Sequence, residues 1–191
     1  TSNRIGDDGM AALSGALVRC PALQELYLSS NQIGDSGLIE LADALRAGGE
    51  ASKDEDQGPT GPLPYLACLR LDSNKVGDAG IAALAEMLLA TPMPSLQQLF
   101  LSCNRIGDAG LSALATAVRR SEPGPSLPGL QVLRLDSNQI SDGGLAGFAL
   151  ATTTSTLGML QVLDFSSNQI TDAGLVALSE TLVNAKYHLP R

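Results

Sequence analysis

Hydrophobic and polar positions follow one another along this chain in a unit that recurs six times. Leucines come first, in the spacing Leu-x-x-Leu-x-(Leu/Phe), as at Leu23, Leu26 and Leu28. A polar string, Asn-x-(Ile/Val)-(Gly/Ser/Thr)-Asp-x-Gly, then follows and begins at Asn3, Asn31, Asn74, Asn104, Asn138 and Asn168. The first copy lacks the leucines before it. A repeated unit of about 28 to 30 residues, extended by insertions in two copies, is typical of a solenoid, in which successive units stack on one another.

Each unit contains two hydrophobic periods. The leucines alternate with period two just before the asparagine, which predicts a short strand. After the asparagine the spacing becomes helical, with apolar residues at Leu38, Leu41, Ala42 and Leu45 in one copy. Apolar residues at i, i+3, i+4 and i+7 form one stripe, so we expect each helix to pack this stripe against the sheet.

Two polar columns of the unit are interpreted as the start of the helix. The first contains Gly, Ser or Thr, which are preferred N-cap residues, and the second is always Asp. The Asp is expected either in the first helical turn, where the helix dipole favours a carboxylate, or as the N-cap itself. A calcium-binding ladder is the alternative, although such β-helices use nonapeptide repeats. The columns are Gly6, Gly34, Gly77, Gly107, Ser141 and Thr171, and Asp7, Asp35, Asp78, Asp108, Asp142 and Asp172.

The Asn and Gly columns are also interpreted as structural. An Asn side chain carries an acceptor and two donors, so it is expected to satisfy backbone groups where each strand turns away. The Gly column is expected to let neighbouring helices or the sheet approach closely. Its members are Gly9, Gly37, Gly80, Gly110, Gly144 and Gly174.

The spacing between asparagines locates two insertions in a single array over residues 1–191. Successive asparagines are 28, 43, 30, 34 and 30 residues apart. The extra residues predict a flexible insertion at 46–65 and a proline-rich one at 119–129. The acidic stretch from Glu50 to Asp56 is a candidate docking loop, with a disordered, solvated excursion as the alternative. Neither end shows a polar capping repeat, so we expect an excerpt from a longer solenoid.

Composition narrows the class of function. The net charge of −8 argues against nucleic acid, because phosphate binding needs a basic stripe. No apolar run approaches the roughly 18 residues of a membrane span. Cys20, Cys68 and Cys103 show no metal-ligand spacing and are expected to be reduced thiols of an intracellular, cytoplasmic protein. The single histidine, His188, has no nucleophile or metal partner in sequence reach, so we expect neither an enzyme nor a cofactor or metal site.

The units resemble the ribonuclease-inhibitor-like class of leucine-rich repeats. They are also similar to the repeat regions of NACHT-domain (NOD-like) receptors and of Ran GTPase-activating protein. The resemblance implies an α/β solenoid, a right-handed horseshoe with a parallel β-sheet on its concave face and α-helices on its convex face. The inhibitor alternates Cys and Asn in the ladder column, whereas this chain has Asn throughout, so no ligand is carried over from it.

Curvature of the stack has an independent physical reason. Paired strands lie about 4.8 Å apart, whereas packed helices need about 8–10 Å. Joining the two layers repeat by repeat bends the stack toward its strands. The sheet is therefore expected to form the concave surface that solenoids commonly use for recognition.

Side chains between the strand leucines are expected to point out of the core, into this concave surface. Tyr27, Arg70 and Phe100 occupy matching positions of successive strands, so Arg70 is expected between two rings. The alternative is a solvated face, in which Arg70 pairs with Asp72 and Arg134 pairs with Asp136 or Asp164. The candidate partner-binding residues are Glu25, Tyr27, Ser29, Arg70, Asp72, Gln98, Phe100, Ser102, Arg134, Asp136 and Asp164. Cys68, Val132, Val162 and Ser166 occupy the same rows.

These observations predict a non-catalytic protein–protein interaction module or scaffold that binds a protein partner on its concave face. Two other functions stay open. The array could be the regulatory repeat domain of a GTPase-activating or NOD-like sensor protein. It could also be an architectural subunit of a large cytoskeletal or ciliary assembly.

Overall fold

The computed structural model of the chain describes residues 3–51, 62–91, 93–119, 127–151 and 159–185. Helices and three-residue strands alternate throughout these ranges. The elements are α1 (Asp7–Leu17), β1 (Glu25–Tyr27), α2 (Asp35–Ala51), β2 (Cys68–Arg70), α3 (Asp78–Ala90), β3 (Gln98–Phe100), α4 (Asp108–Arg119), β4 (Val132–Arg134), α5 (Asp142–Ala151), β5 (Val162–Asp164) and α6 (Asp172–Ala185).

The five strands form one parallel sheet in chain order, β1-β2-β3-β4-β5. Each residue pairs with its counterpart in the next repeat, as in Leu26 with Leu69 and Leu69 with Leu99. Backbone bonding continues past the strands, because Leu28 N donates to Arg70 O at 2.9 Å. The prediction of a parallel α/β leucine-rich-repeat solenoid is confirmed.

One continuous apolar core lies between the sheet and the helices. In the repeat that contains β3, Leu99, Leu101, Ile106, Leu111 and Leu114 are all fully buried. The predicted strand leucines and helical stripe therefore meet in the interior. Near the end of the array the rings of Phe148 and Phe165 replace leucines and meet edge to face, 5.6 Å between centroids.

The Asn column forms the predicted ladder of side-chain hydrogen bonds. Asn104 Oδ1 accepts from Val76 N of the preceding repeat at 3.0 Å. Its Nδ2 donates to Leu71 O of that repeat and to Leu101 O of its own. Asn74, Asn138 and Asn168 make the same three backbone bonds, and Asn31 accepts from Ile5 N and donates to Leu28 O. Each amide thus joins two successive repeats where burial would otherwise leave backbone groups unpaired.

The aspartates of the Asp column make hydrogen bonds that the sequence does not predict. Gly77 is the N-cap of α3, and Asp78 opens the helix, as expected. The Asp78 carboxylate, however, accepts from Gly107 N at 2.7 Å and Gly110 N at 2.9 Å. These donors belong to the start of the next helix, α4. The aspartate therefore satisfies free backbone N–H groups of the following repeat, in addition to lying in its own first turn.

The same contact explains the Gly column. A Cβ atom on Gly110 would lie 2.6 Å from Asp78 Oδ1. Equivalent crowding by the preceding aspartate occurs at Gly37, Gly80, Gly144 and Gly174. The expected close approach is confirmed, and its partner is the aspartate of the preceding repeat.

In the described chain, the residue before the asparagine is left-handed in each of the last five repeats, a feature that the sequence pattern does not predict. Ser30, Ser73, Cys103, Ser137 and Ser167 have φ between 53° and 57°. This conformation is uncommon for residues with a side chain. It turns the chain out of the strand, and the neighbouring Asn amide holds the turn; Asn31 Nδ2, for example, donates to both Leu28 O and Ser29 O.

Part of each predicted insertion is folded in the described residues. Helix α2 continues to Ala51, so residues 46–51 are helical. Leu63 and Leu127 are buried and belong to the folded approach to the next strand. Residues 52–61 and 120–126 lie outside the described residues, as does His188. The candidate acidic docking loop beyond α2 is therefore not described.

Candidate functional site

The surface of interest is the side of the sheet that the helices do not cover, called the helix-free face below. The strand register brings its side chains into rows across successive repeats. The central row consists of Tyr27, Arg70, Phe100, Arg134 and Asp164, each paired with the next. A second row, Glu25, Cys68, Gln98, Val132 and Val162, runs beside it.

Rings and guanidinium groups alternate in contact along the central row. The Arg70 Cζ atom lies 4.2 Å from the centroid of the Phe100 ring and 5.5 Å from that of Tyr27. Arg134 Cζ lies 6.0 Å from the Phe100 centroid on the other side. Guanidinium groups at these distances are attracted by the negative faces of aromatic rings. The structure thus places Arg70 between two rings, as the sequence predicts.

The row is accessible to a partner. Tyr27 is 48% exposed and Arg134 is exposed, whereas Arg70 and Phe100 are half-buried. A partly buried row of Tyr, Arg and Phe side chains combines apolar area with polar groups that point outward. Tyr and Arg are enriched among the residues that contribute most to protein–protein binding.

Within the described residues, no carboxylate lies at ion-pair distance from Arg70 or Arg134. The positive charge of Arg134 nevertheless helps to lower the pKa of Asp164. Asp72 instead accepts from Ser29 Oγ at 2.9 Å, across to the neighbouring strand. Ser102 Oγ donates to Asp136 in the same way. The alternation of Ser and Asp at positions 29, 72, 102, 136 and 166 was the sequence signal for this pairing.

Two residues expected on the surface are buried. Ser102, a candidate contact residue, is only 8% exposed, because its hydroxyl turns toward Asp136. Cys68 is 6% exposed, and the guanidinium of Arg70 interacts with its thiol. Neither residue therefore offers a partner much area. Ser102 lies on the helix-free face, where its hydroxyl donates to Asp136.

Hydrogen bonds also set the ionisation of the face. Tyr27 OH donates to Glu25 Oε2 at 2.5 Å, and this bond is the main cause that raises the pKa of Tyr27 above its ordinary value. The Ser166 hydroxyl and backbone N–H lower the pKa of Asp164. Burial raises the pKa of Cys68. Near neutral pH, Tyr27 is therefore neutral and Asp164 is ionised.

The described residues contain no metal-ligand cluster, membrane-spanning helix or disulfide. Within them, no group of three or more His, Cys, Asp or Glu side chains is arranged to hold a metal ion. Among the described helices, none has the length and apolar character needed to cross a membrane. The described cysteines are free thiols.

Solved structures with a similar fold include domains of leiomodin-1 and of a tropomodulin. Leiomodin-1 actin-binding site 2 matches with a TM-score of 0.57 and 16% identity over 94% of this chain and 89% of that one. The tropomodulin C-terminal domain of Caenorhabditis elegans matches with a TM-score of 0.58 and 13% identity over 93% of each chain. At these identities the similarity shows the fold alone.

An internalin from Listeria monocytogenes matches with 22% identity and a TM-score of 0.48. The match covers 87% of this chain but only 35% of the internalin. No curated protein sequence matches the chain significantly.

The repeats themselves match a family profile. Its description is Leucine Rich repeat, and the matched segments are residues 1–14, 19–42, 63–85, 93–115, 128–149 and 159–179. These segments cover well over half of the chain and coincide with the repeat units built above. By sequence pattern, strand register and family profile together, the chain belongs to the Leucine Rich repeat family.

Proposed function

We propose that this chain is a non-catalytic protein–protein interaction module that binds its partner on the helix-free face. The observation that carries the proposal is the stacked row of Tyr27, Arg70, Phe100 and Arg134, which is partly exposed although it contains two rings. The helices cannot cover this row, because they occupy the other side of the sheet. A protein partner would gain apolar burial at the rings and hydrogen bonds at the guanidinium groups.

The ribonuclease-inhibitor-like class remains the proposed subclass. It is supported by the unit length and by the helix in every described repeat. In that class the helix-free face is the concave surface of a horseshoe, which would wrap around a partner. We place the protein in the cytoplasm, because Cys20, Cys68 and Cys103 are free thiols and disulfides are rare there.

The test compares three forms of the chain. The first is wild type. The second combines Tyr27→Ala, Arg70→Ala and Phe100→Ala, and the control combines Glu40→Ala, Glu86→Ala and Thr116→Ala, which are exposed helix positions. Proteins that copurify with wild type are identified by mass spectrometry, and their affinity for each purified form is measured by calorimetry.

We expect the face variant to weaken binding by more than about a hundredfold, because truncation of central anchors commonly costs 2 kcal/mol or more each. The helix control should bind as wild type does. Circular dichroism must show that both variants remain folded. Equal affinity for all three forms would move the binding site away from the helix-free face.

An architectural role in a cytoskeletal assembly is the second candidate. The fold similarity to leiomodin-1 actin-binding site 2 covers most of both chains, which makes actin a partner worth testing directly. Cosedimentation with actin filaments, together with binding to monomeric actin, would decide it. For a GTPase-activating or NOD-like regulatory domain, the same face would contact the regulated protein.

A further inference from the structure

Every described carboxylate on the helix-free face already accepts a hydrogen bond from a hydroxyl of the same face. Each of these carboxylates therefore has a hydrogen-bond donor even when no partner is bound. The four pairs are Glu25 with Tyr27, Asp72 with Ser29, Asp136 with Ser102, and Asp164 with Ser166.

The two guanidinium groups of the face have no such acceptor. Neither Arg70 nor Arg134 forms an ion pair with a described carboxylate. The Nε atom of Arg70 is buried and has no hydrogen-bond partner among the described groups. The two guanidinium groups are therefore the charged donors of the face that lack a described carboxylate partner.

Both guanidinium groups converge on one ring. Arg70 and Arg134 flank Phe100 in the strand register, and both Cζ atoms lie within 6.0 Å of its centroid. The ring contacts hold Arg70 in a fixed orientation, so little further side-chain entropy is lost when it binds. Arg134 is exposed and lies on the strand beyond Phe100, opposite to Arg70. A planar acceptor placed above Phe100 could hydrogen-bond to both.

The geometry points to a carboxylate as the group that this position accepts: a single Glu or Asp side chain of a protein partner, held by Arg134 and Arg70 over the edge of Phe100. This inference rests on the proposed function. Arginine binds a carboxylate through two parallel N–H donors, which makes the pair specific as well as strong.

The carboxylates around the two arginines limit the number of acidic residues that a partner can place on this face. Asp72, Asp136 and Asp164 lie in the same or adjacent rows as the two arginines. They would repel a run of acidic residues, while one carboxylate between the guanidinium groups is attracted. We therefore infer an isolated acidic residue flanked by uncharged ones.

The experiment uses the whole chain and a random peptide library displayed on phage, so the natural partner need not be known. Peptides selected on wild type are synthesised, and each Glu or Asp is replaced by its amide. Binding is measured on wild type, Phe100→Ala, Arg134→Gln, Arg70→Gln and the control Arg46→Gln. Arg46 lies on α2, where it pairs with Asp43, and its change tests for a general loss of charge.

For peptides that lose binding on Phe100→Ala, we expect one acidic residue whose amide replacement weakens binding on wild type by about tenfold or more. On Arg134→Gln the same amide replacement should weaken binding little further, because the effects of two substitutions are not additive when the two residues interact directly. Because Arg134 is exposed, its variant is expected to fold. The same amide replacement measured on Arg70→Gln provides a second test of the contact. Arg46→Gln should behave as wild type.

Two results would overturn the inference and separate it from the proposed function. Peptides that depend on Phe100 but contain no acidic residue, or an amide penalty that is equal on wild type and Arg134→Gln, would refute the carboxylate while leaving the helix-free face as the binding surface. Peptides that bind all variants equally would refute both proposals.

Discussion

Asp78 shows how one side chain can serve two repeats. Its backbone opens α3, while its carboxylate accepts from Gly107 N and Gly110 N at the start of α4. Asp142 makes the same connection to Thr171, and the hydrogen bonds from Thr171 lower the pKa of Asp142. The carboxylate is thus held in its ionised form. The column contributes to the joint between repeats as well as to its own helix.

Replacement of Asp78 by Ala is expected to lower the free energy of unfolding by about 2–4 kcal/mol, because it removes the charged acceptor of two backbone N–H groups. Asp172 is the matched control, since it opens α6 but no described repeat follows it. Asp172→Ala should cost less than about 1 kcal/mol, the contribution of the helix dipole. Urea unfolding of both variants measures the difference. Equal losses would mean that the column acts only within its own helix.

At the scale of the element, the contact between neighbouring helices depends on a missing side chain. Gly110 lies in the first turn of α4, next to Asp78 of α3. Within a helix, Ala is normally favoured over Gly by about 1 kcal/mol. Here the added methyl group would meet Asp78 Oδ1 at 2.6 Å and Asp78 Cα at 3.1 Å, so the helices would have to move apart.

Two Gly→Ala substitutions are therefore expected to change the free energy of unfolding in opposite directions. Gly110→Ala should lower the free energy of unfolding by about 1–3 kcal/mol, because close-packed elements cannot absorb the extra atom. Gly147→Ala in α5 should raise it by about 0.5–1 kcal/mol, since nothing lies within 4 Å of its added Cβ and Ala is the better helix former. Chemical denaturation of the two variants provides the comparison. A gain at both positions would contradict the packing explanation.

The elements were predictable because their signals are local. A hydrophobic period of two before each asparagine predicts the strand, and a period of 3.6 after it predicts the helix. Because Tyr27, Arg70 and Phe100 occupy the same position of successive strands, their side-by-side placement was also predictable. The bond from Asp78 to Gly107 was not predictable, because it depends on the distance between two repeats. The burial of Ser102 likewise follows from its bond to Asp136 in the neighbouring repeat. The left-handed turn at Ser30 has no composition signal, since Ser is not a typical residue for it.

At the scale of the whole molecule, each repeat completes the core of the one before it. Leu111 and Leu175 occupy the same position of the unit, as the fourth residues of α4 and α6. Leu111 is fully buried, whereas Leu175 is 57% exposed. In the described chain, β4 and α5 lie against the repeat that contains Leu111, whereas no described element lies beyond α6. In a solenoid, stability is close to a sum over repeats and their interfaces.

The cost of losing this leucine should therefore depend on its place in the array. Leu111→Ala is expected to lower the free energy of unfolding by about 2–5 kcal/mol, because it leaves a cavity in a closed core. Leu175→Ala should cost less than about 1.5 kcal/mol, since more than half of the side chain is already in water. Urea unfolding followed by circular dichroism measures both. Similar losses would show that the face of α6 is covered by something that the described residues do not contain, and the array would then have to be treated as closed at that end.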